Sequence, residues 1–411
     1  QQLTTRWRHS LVAGRHWISG DREPFRSPLL PPRLPAGATF ERADRRSLRY
    51  ASTVTVSDVL EFSGGAETSV RRVDRELIRA TVMNDLSALV AADLRARGAF
   101  AQTRVRIGSR FTLSGGARAE RLSSVGPRQG IVWASTAGAS WNRELPGATV
   151  RLRTAWGRGI RPPEPGMSVN RATSTLHQLA NANLAPERQQ GVEAGADLYF
   201  GNGAFFKSTW YQQFATDLLQ QVSRRVLTGT ADSYQFQNVG VVRNRGVEFE
   251  GGVRMGPVTV GANAQWPNSE VRSLSSRYTG ELRPGDKLLE VPEAAGSAYA
   301  RIASGPRERT WSAEVGVTAL GPWTGYDWLL LARIEGGQAT RRDLLREYWM
   351  RYPGVVRPYV SASAHIAREL HAYLRVDNPG NNSAFVRDNA SPTLGRTAMA
   401  GVEIRAKTSV K

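Results

Sequence analysis

Cysteine is absent from the 411 residues, and lysine occurs at only four positions. The lack of cysteine excludes disulfides, thiolate zinc sites, iron–sulfur clusters and cysteine nucleophiles. No run of about 18 apolar residues is present, which excludes a helix that spans a membrane. The sequence begins at Gln1 without the basic segment and apolar segment of a secretory signal, so we expect the chain to begin inside a longer protein.

Histidine is also scarce, with five residues. No two of them have the spacing of a zinc-binding helix, and only His365 and His371 flank a short turn where they could meet. Carboxylates two residues apart, such as Glu248 and Glu250, share a strand face, but we expect them to be solvated or paired with arginines such as Arg254. We therefore expect no metal site, no catalytic residue and no cofactor, and we interpret the chain as a non-enzyme.

Basic residues outnumber acidic residues by 55 to 36, which gives a net charge of +19 and raises the question of nucleic-acid binding. The arginines are scattered along the chain, form no single stripe and accompany no nucleic-acid-binding motif. Solvated charge or contact with anionic lipid headgroups explains this balance better. We expect no nucleic-acid partner.

Strict two-residue alternation is the strongest pattern in the sequence. From 247 to 254, one face reads Val, Phe, Gly, Val and the other reads Glu, Glu, Gly, Arg. A similar segment begins at Val258, after Met255-Gly256-Pro257, which predicts a hairpin with a tight turn. The six predicted hairpins are 99–107 with 111–120, 131–142 with 150–156, 192–200 with 205–218, 247–254 with 258–266, 298–303 with 311–320, and 360–366 with 370–376.

Long connections separate these hairpins, at 121–130, 157–189, 220–243, 267–292, 321–357 and 377–395. Short turns that alternate with long loops are typical of outer-membrane barrels, whose periplasmic turns are tight and whose extracellular loops are large. Many predicted strands have about nine to eleven residues, the length that a tilted crossing of ~30 Å of hydrocarbon requires. Four tryptophans lie at predicted strand ends, where an aromatic girdle would lie: Trp141, Trp156, Trp266 and Trp311. A last strand at 397–405 would end on the periplasmic side.

The alternation leaves a second interpretation open, a water-soluble barrel with its apolar face inside. The apolar faces consist of alanine, glycine, valine and single aromatics. These side chains are too small to fill the core of a soluble barrel, but they are adequate for contact with lipid.

In the first 95 residues, we predict strands at 6–18 and 46–62, a loop near Leu29-Leu30-Pro31-Pro32, and a strand pair or partly helical segment at 77–94. The fold class is therefore all-β, an antiparallel transmembrane β-barrel with about 14 to 18 strands in this chain.

Several segments resemble the C-terminal portion of TonB-dependent receptors, in that family's order. Segment 98–102 is similar to the family's strand with an aromatic-Ala-Gln sequence, and segment 110–118 is similar to the strand of leucine, glycine and arginine that follows it. Segment 157–163 is similar to the family's Gly-aromatic-Arg-Ala-Pro segment. The most specific match is 183–187, Asn-Leu-Ala-Pro-Glu, before a Glu-x-Gly strand, and 238–250 resembles its Asn-x-Gly and Gly-Val-Glu pair. The resemblance implies structural roles for Arg161, Pro163, Asn183, Leu184, Pro186, Glu187, Gly246 and Glu248.

The resemblance also implies a function, that of an outer-membrane receptor and transporter barrel of a Gram-negative bacterium for TonB-coupled uptake of a siderophore, cofactor or oligosaccharide. Residues 1–411 would form the barrel domain and lack the signal peptide, TonB box and plug, with fewer than the roughly 22 strands of the family. The implied partners are outer-membrane lipid, lipopolysaccharide, the TonB system through the missing plug, and a small-molecule or oligosaccharide ligand. The alternatives are a passive porin or structural outer-membrane barrel, and a soluble basic β-protein.

Ligand recognition is expected in the long loops, because loops on a rigid scaffold carry function. Connection 321–357 is rich in aromatic residues and arginines. We predict ligand contacts, to an anionic or sugar-like ligand or to lipopolysaccharide, from Trp323, Tyr326, Trp328, Arg341 and Arg342. The alternative is a hairpin that folds back, with aromatics that form part of a membrane girdle.

Overall fold

The computed structural model describes residues 2–4, 6–22, 37–79, 88–123, 130–164, 167–168, 171–172, 176–224, 232–304, 310–335, 338–340, 344–367, 370–386, 388–390 and 394–404. Strands dominate, and the helical segments are α1 (Trp328–Glu335) and a single 3-10 turn (Leu345–Tyr348). The all-β prediction is confirmed. No helix in these residues is long and apolar enough to cross a membrane.

The strands follow one another along the chain with few interruptions. They are β1 (Gln2–Thr4), β2 (Trp7–Arg22), β3 (Gly37–Thr55), β4 (Leu60–Arg79), β5 (Ala88–Ile107), β6 (Phe111–Ser123), β7 (Ile131–Leu145), β8 (Ala148–Arg161), β9 (Arg171–Ala172), β10 (Leu176–Leu179), β11 (Glu187–Phe200), β12 (Phe205–Thr216), β13 (Leu219–Arg224), β14 (Asp232–Asn238), β15 (Gly240–Met255), β16 (Val258–Leu274), β17 (Ala295–Ala303), β18 (Trp311–Leu320), β19 (Trp323–Tyr326), β20 (Trp349–Tyr352), β21 (Val355–Ala367), β22 (Leu370–Asp377) and β23 (Thr397–Ile404).

Seventeen of the described strands form one antiparallel sheet, in which each strand pairs with the sheet strands that precede and follow it in the chain. Sixteen of them are long and β1 has three residues, so the predicted range of strand number is confirmed. The remaining strands lie in the long connections: β9, β10, β13 and β14 form a small sheet, and β19 pairs with β20. No pairing joins β23 to β1 or β2 in the described residues.

The six predicted hairpins are all present as neighbouring pairs of this sheet. Met255 pairs with Val258, so two residues make the turn between β15 and β16, and Gly256 adopts a φ of 58° there. A left-handed conformation of this kind is accessible to glycine without a steric cost. Tight turns therefore lie at one end of the sheet and the long connections at the other.

The predicted strand at 46–62 is wrong, because it crosses a turn. The strand β3 ends at Thr55 and β4 begins at Leu60. The Ser57 hydroxyl accepts hydrogen bonds from the backbone N–H groups of Val59 (3.3 Å) and Leu60 (3.2 Å), which fixes the turn. In the segment 77–94, the described residues belong to β4 and β5, whereas 80–87 and the predicted loop at 29–32 lie outside the described residues.

Several strands extend beyond the bounds predicted from alternation. The strand predicted to end at Trp266 continues as β16 to Leu274, so the placement of Trp266 at a strand end is wrong. The chain continues through Pro267 because that residue lies beyond Gln265, the last position paired with β17. A strand with a partner on only one side tolerates proline.

The two faces of the sheet differ in composition, and the apolar face is exposed. Phe249 and Val315 are 38% and 53% exposed, and Leu11 is 70% exposed. The buried hydrophobic cluster of the described residues lies at the long-loop end, around Val239 and Val271, and does not lie beneath the sheet. A soluble barrel would bury the apolar face in its centre, so this arrangement favours contact of that face with hydrocarbon.

On six of the strands, the apolar face ends at the same height above the tight turns. On β5, β6, β8, β11, β15 and β16, the five apolar-face residues nearest the turn carry no charge, and the sixth is polar. These sixth residues are Arg97, Arg121, Arg158, Gln190, Arg245 and Asn268. Ten residues rise about 34 Å along a strand, or about 24 Å across a membrane at a tilt of about 45°. That height is close to the ~25 Å apolar band of outer-membrane barrels.

Aromatic rings cover glycines on the polar face. Six register-opposed pairs have this arrangement: Phe100 with Gly65, Phe205 with Gly252, Tyr211 with Gly246, Tyr299 with Gly261, Tyr359 with Gly316, and Tyr373 with Gly401. A Cβ atom added at Gly261 would lie 2.6 Å from Cε1 of Tyr299, so the ring occupies the space of the missing side chain. Such cross-strand packing is a recognised means of stabilising glycine within a sheet.

We expect the substitution Gly261→Val to destabilise the protein by roughly 1–3 kcal/mol, because the new side chain overlaps the Tyr299 ring. The control is Gly159→Val on the same face of β8, where an added Cβ meets no atom within 4 Å. Urea unfolding in detergent, followed by tryptophan fluorescence, measures both. Equal losses in the two variants would contradict the role given to the ring.

Candidate functional site

The long-loop end of the sheet contains a buried hydrophobic cluster. Val239 and Val271 are fully buried, and Val242 and Leu282 are nearly so. Residues from three connections pack against them, among them Tyr278 and Trp349. Burial raises the pKa of the Tyr278 hydroxyl to about 12. The loops at this end therefore have a core of their own.

The hairpin β19–β20 forms one side of this loop body. The rings of Trp323 and Tyr352 stack at 5.0 Å with an interplanar angle of 7°, and both are almost completely buried. The Tyr352 hydroxyl donates to the carbonyl oxygen of Tyr326 at 2.7 Å. This stack packs the hairpin as a unit before the chain returns to β21.

Asn389, from the connection between β22 and β23, joins that connection to the hairpin. Its side-chain amide donates to Oδ1 of Asp327 at 2.7 Å, and its Oδ1 accepts from the backbone N–H of Leu329 at 3.1 Å. Asp327 itself caps α1 by accepting from the backbone N–H of Leu330 at 2.9 Å. One buried asparagine thus holds two loops in a fixed relation.

A clamp of charged residues joins the connection after β16 to the 3-10 turn. Arg346 donates two hydrogen bonds to Asp286, at 2.6 and 2.7 Å, and its guanidinium lies 4.3 Å above the Trp349 ring. Glu281 accepts from the backbone N–H groups of Leu345 and Arg346. The Arg346 guanidinium holds the pKa of the Asp286 carboxyl below its ordinary value. Paired, hydrogen-bonded charges of this type fix geometry as well as adding attraction.

A second ion pair lies beside the first. Arg351 donates to both carboxylate oxygens of Glu293, at 3.0 and 2.9 Å, and Lys287 donates to one of them at 3.0 Å. Hydrogen bonds from Arg351 and then Lys287 hold the pKa of the Glu293 carboxyl at about 2. Glu293 is therefore ionised throughout the physiological range.

The predicted ligand-contact residues that the structure describes differ in how far their side chains are exposed. Trp323 is enclosed in the loop body, with 3% of its surface exposed. Tyr326 is half-buried and packs edge-on against Trp328, with ring centroids 5.5 Å apart. Trp328 is 42% exposed, so a ligand could reach its ring. Arg341 and Arg342 lie outside the described residues.

Sequence reasoning missed the carboxylates of the clamp. The arginines of connection 321–357 are evident in the sequence, but the sequence does not indicate the partners of Arg346 and Arg351. Their acidic partners lie in the preceding long connection, 58 to 65 residues away. The signal present in the sequence is the charge complementarity of two consecutive long loops, one with Glu281, Asp286 and Glu293 and the other rich in arginine.

Two of the segments that carry the family resemblance are in contact with each other. Asn238 accepts from the backbone N–H of Ala185 at 2.9 Å and donates to the carbonyl oxygens of Ala185 (3.0 Å) and Asp217 (2.7 Å). Leu184 is 3% exposed, Pro186 is also buried, and Asn183 donates its backbone N–H to the side chain of Asn181. The 183–187 segment is thereby hydrogen-bonded to the end of β14.

The other motif residues lie along neighbouring strands. Buried Glu187 accepts from the backbone N–H of Leu219 at 2.7 Å and pairs with Arg161 at 3.4 Å, and Pro163 is buried just beyond β8. Gly246 lies beneath Tyr211, whereas Glu248 is exposed on the polar face. The structural roles that the resemblance implies for these residues stay predictions.

The two histidines predicted to lie close together are in contact, since the ring centroids of His365 and His371 are 4.8 Å apart. Oε2 of Glu403 lies 3.9 Å from Nδ1 of His371. Within the described residues, no three histidine, aspartate or glutamate side chains form a group that could hold a metal ion.

The family model described as "TonB dependent receptor-like, beta-barrel" matches residues 8–378. The chain belongs to the TonB-dependent receptor family. This assignment confirms the resemblance found in the sequence and the prediction of a transmembrane barrel fold. The family consists of receptors and transporters rather than enzymes, in agreement with the non-enzyme interpretation. No curated protein sequence matches the chain.

Solved structures of TonB-dependent receptors have the same fold as this barrel. The copper transporter OprC is 15% identical, with a TM-score of 0.72 over 98% of this chain and 63% of that chain. The ferripyoverdine receptor of the outer membrane of Pseudomonas aeruginosa is 13% identical, with a TM-score of 0.70 over 97% of this chain and 54% of that one. The siderophore receptor PiuA from Acinetobacter baumannii is 14% identical, with a TM-score of 0.69 over 98% and 62%. The barrel therefore spans between half and two thirds of the length of these receptors.

We expect Asn238→Ala to destabilise the receptor barrel by about 2 kcal/mol, because three hydrogen bonds at the junction of segments 183–187 and 238–240 are lost. Hydrogen exchange of 181–186 should increase at the same time. Asn244→Ala, on β15, is the control and should leave exchange at 181–186 unchanged. Unchanged protection in Asn238→Ala would mean that the junction is held by other contacts.

The second ion pair predicts a pH dependence. The folded-state pKa of Glu293 is lowered, so its contribution to loop stability is complete above the ordinary glutamate pKa of about 4.3 and is lost as the pH falls towards about 2. We expect hydrogen-exchange protection of 286–293 to persist at pH 5 and to decline below pH 4. In Arg351→Gln, protection should already be weaker at pH 5, whereas Arg396→Gln should behave as the wild type. A decline at the same pH in all three proteins would contradict this assignment.

Proposed function

We propose that this chain is the barrel domain of an outer-membrane receptor of a Gram-negative bacterium, which imports one specific substrate by TonB-coupled transport. The observation that carries the proposal is the single loop body at the long-loop end, set on a barrel of this family. Three connections share one hydrophobic cluster there. Two ion-paired groups, Arg346 with Asp286 and Arg351 with Glu293, join two of these connections. A preorganised surface of this kind supports selective recognition rather than free passage, because rigid groups lose little entropy on binding.

The proposed ligand is a siderophore, a cofactor or an oligosaccharide. Neighbours of the same fold are a copper transporter, a receptor bound to ferripyoverdine and a siderophore receptor. Exposed Trp328 and half-buried Tyr326 offer an aromatic surface to a ring or sugar, and Arg341 and Arg342 are proposed contacts for its anionic groups. Trp323 would act indirectly, since its ring supports the hairpin from within.

The proposed location is the outer membrane, with lipid and lipopolysaccharide around the apolar face and a plug domain between the barrel and the TonB system. The exposed apolar face, and the common height at which it ends on six strands, support this location. Extraction of the protein by detergent from the outer-membrane fraction, with heat-modifiable migration in electrophoresis, tests it. Complete extraction by high salt would contradict it.

Transport is tested by uptake of radiolabelled ferric siderophores, cobalamin and maltooligosaccharides in cells that produce the full receptor, with and without TonB. We expect uptake of one probe to depend on TonB. Uptake of many small solutes in both strains would instead indicate a passive porin.

We expect Trp328→Ala to weaken binding of the transported probe by about tenfold or more, because exposed aromatic anchors contribute strongly to recognition. Its unfolding midpoint should not change, since the side chain is partly exposed. Trp323→Ala should lower the unfolding midpoint by loss of the stack with Tyr352. Trp133→Ala, an exposed tryptophan on the apolar face of β7, is the control for loss of a surface ring and should leave probe binding unchanged. Unchanged affinity in Trp328→Ala would remove Trp328 from the proposed site.

A further inference from the structure

Two arginines without partners face each other on the apolar face. Arg97 of β5 and Arg121 of β6 are register-opposed, and both are exposed. Their other cross-strand neighbours are Thr68 and Ile131, so no carboxylate opposes them among the described residues. Like charges directly opposite each other on an antiparallel pair are destabilising. The pair is therefore incomplete without an anion.

Other arginines of the neighbouring strands do have carboxylate partners. On the polar face, Arg118 of β6 pairs with Glu67 at 3.3 Å and with Glu120 at 3.0 Å. On the apolar face, Arg15 and Arg46 share Asp44, at 3.1 and 3.0 Å. Within the described part of these strands, Arg97 and Arg121 combine two features: they face each other, and neither has a carboxylate within ion-pair distance.

An apolar trough of about 480 Å³ lies directly against this pair. Its floor consists of small residues on three adjacent strands, Ala66, Ala99 and Ala119, which lie in one cross-strand row. Larger side chains bound it on both sides: Leu11, Leu48 and Tyr50 on one and Ile131 on the other. Glu67 and Glu120 also line it, but their carboxylates pair with Arg118 on the polar face of the sheet. The volume is in the range of small-ligand sites, roughly 300–1,000 Å³.

The height of the pair matches the boundary between hydrocarbon and headgroups. Arg97 and Arg121 each lie ten residues from the tight turn between β5 and β6, on the long-loop side of the apolar band. The trough extends from the pair over residues nearer the turn, such as Ala99 and Ala119. A ligand that fits both features has an anionic group at the level of the headgroups and a hydrocarbon chain below it.

We propose that Arg97, Arg121 and the adjacent trough form a binding site for a membrane lipid with a phosphate monoester headgroup, as in lipopolysaccharide. The phosphate lies between the two guanidinium groups, which donate paired hydrogen bonds to its oxygens, and one acyl chain lies in the trough. A monoester of charge near −2 neutralises both arginines, whereas a zwitterionic phospholipid does not. This proposal rests on the proposed function in one respect, because it requires that the apolar face contacts the outer leaflet of the outer membrane.

The test is the unfolding midpoint of the full chain in detergent, with and without a lipid A preparation. The wild type should be stabilised by the lipid. Arg121→Gln should be more stable than the wild type without lipid, because the repulsion is removed, and less stable than the wild type with it. Lipid affinity should fall by about tenfold or more for each arginine replaced. An unchanged affinity in the Arg97→Gln, Arg121→Gln double variant would overturn the proposal.

Three controls define the chemistry and the place. Arg158→Gln removes an apolar-face arginine of the same height on β8 that faces no second arginine, and it should leave lipid affinity unchanged. Ala99→Phe fills the trough and should weaken lipid binding with both arginines retained. Dephosphorylated lipid A, phosphatidylethanolamine and inorganic phosphate should each fail to stabilise the wild type. Equal stabilisation by any of these three would overturn the site, whereas a chain that detergent does not extract from membranes would overturn the proposed function instead.

Discussion

A hydrogen-bonded strand presents alternate residues to two surroundings, and in this barrel neither of them is a packed protein core. The apolar side chains on one face are too exposed to be a folded interior, and the other face carries charges that pair across strands. Only a sheet with hydrocarbon on one side and water on the other satisfies both faces at once. Strand length, the common height at which the apolar face ends on six strands, and the segregation of loop lengths all follow from that condition.

The same condition explains how much of the fold could be predicted from the sequence. Within the apolar band, each residue has one of two surroundings, so alternation located all six hairpins from residue 99 onward. Above the band the constraint disappears, because both faces meet water. The alternation there no longer marks a boundary, and β16 continues past Trp266 to Leu274 without an apolar pattern. The turn at 56–59 was missed because apolar alternation continues on both sides of Ser57 and Asp58.

The sequence predicted which connection contains the candidate site, but it did not predict which of its side chains are exposed. Loop length and aromatic content pointed to connection 321–357, and its hairpin, helix and 3-10 turn do form part of the loop body. Whether an aromatic ring faces outward or inward depends on contacts with other loops, and no local pattern encodes these. Trp323 and Trp328 are five residues apart, yet one is enclosed by Tyr352 and the other is exposed. Likewise, the partner of Arg346 is 60 residues away, in a loop whose path is set by the strands between them.

The rings that lie flat over glycines on the polar face have a geometric consequence for the pore. Side chains on the concave surface of a cylinder crowd one another as the cylinder narrows, so each missing Cβ allows the wall to bend more tightly. The aromatic partner then shields the bare backbone from water that would compete for its hydrogen bonds. Strand number and stagger set the diameter of a barrel, so these glycines adjust the local curvature of the wall and leave its overall width unchanged.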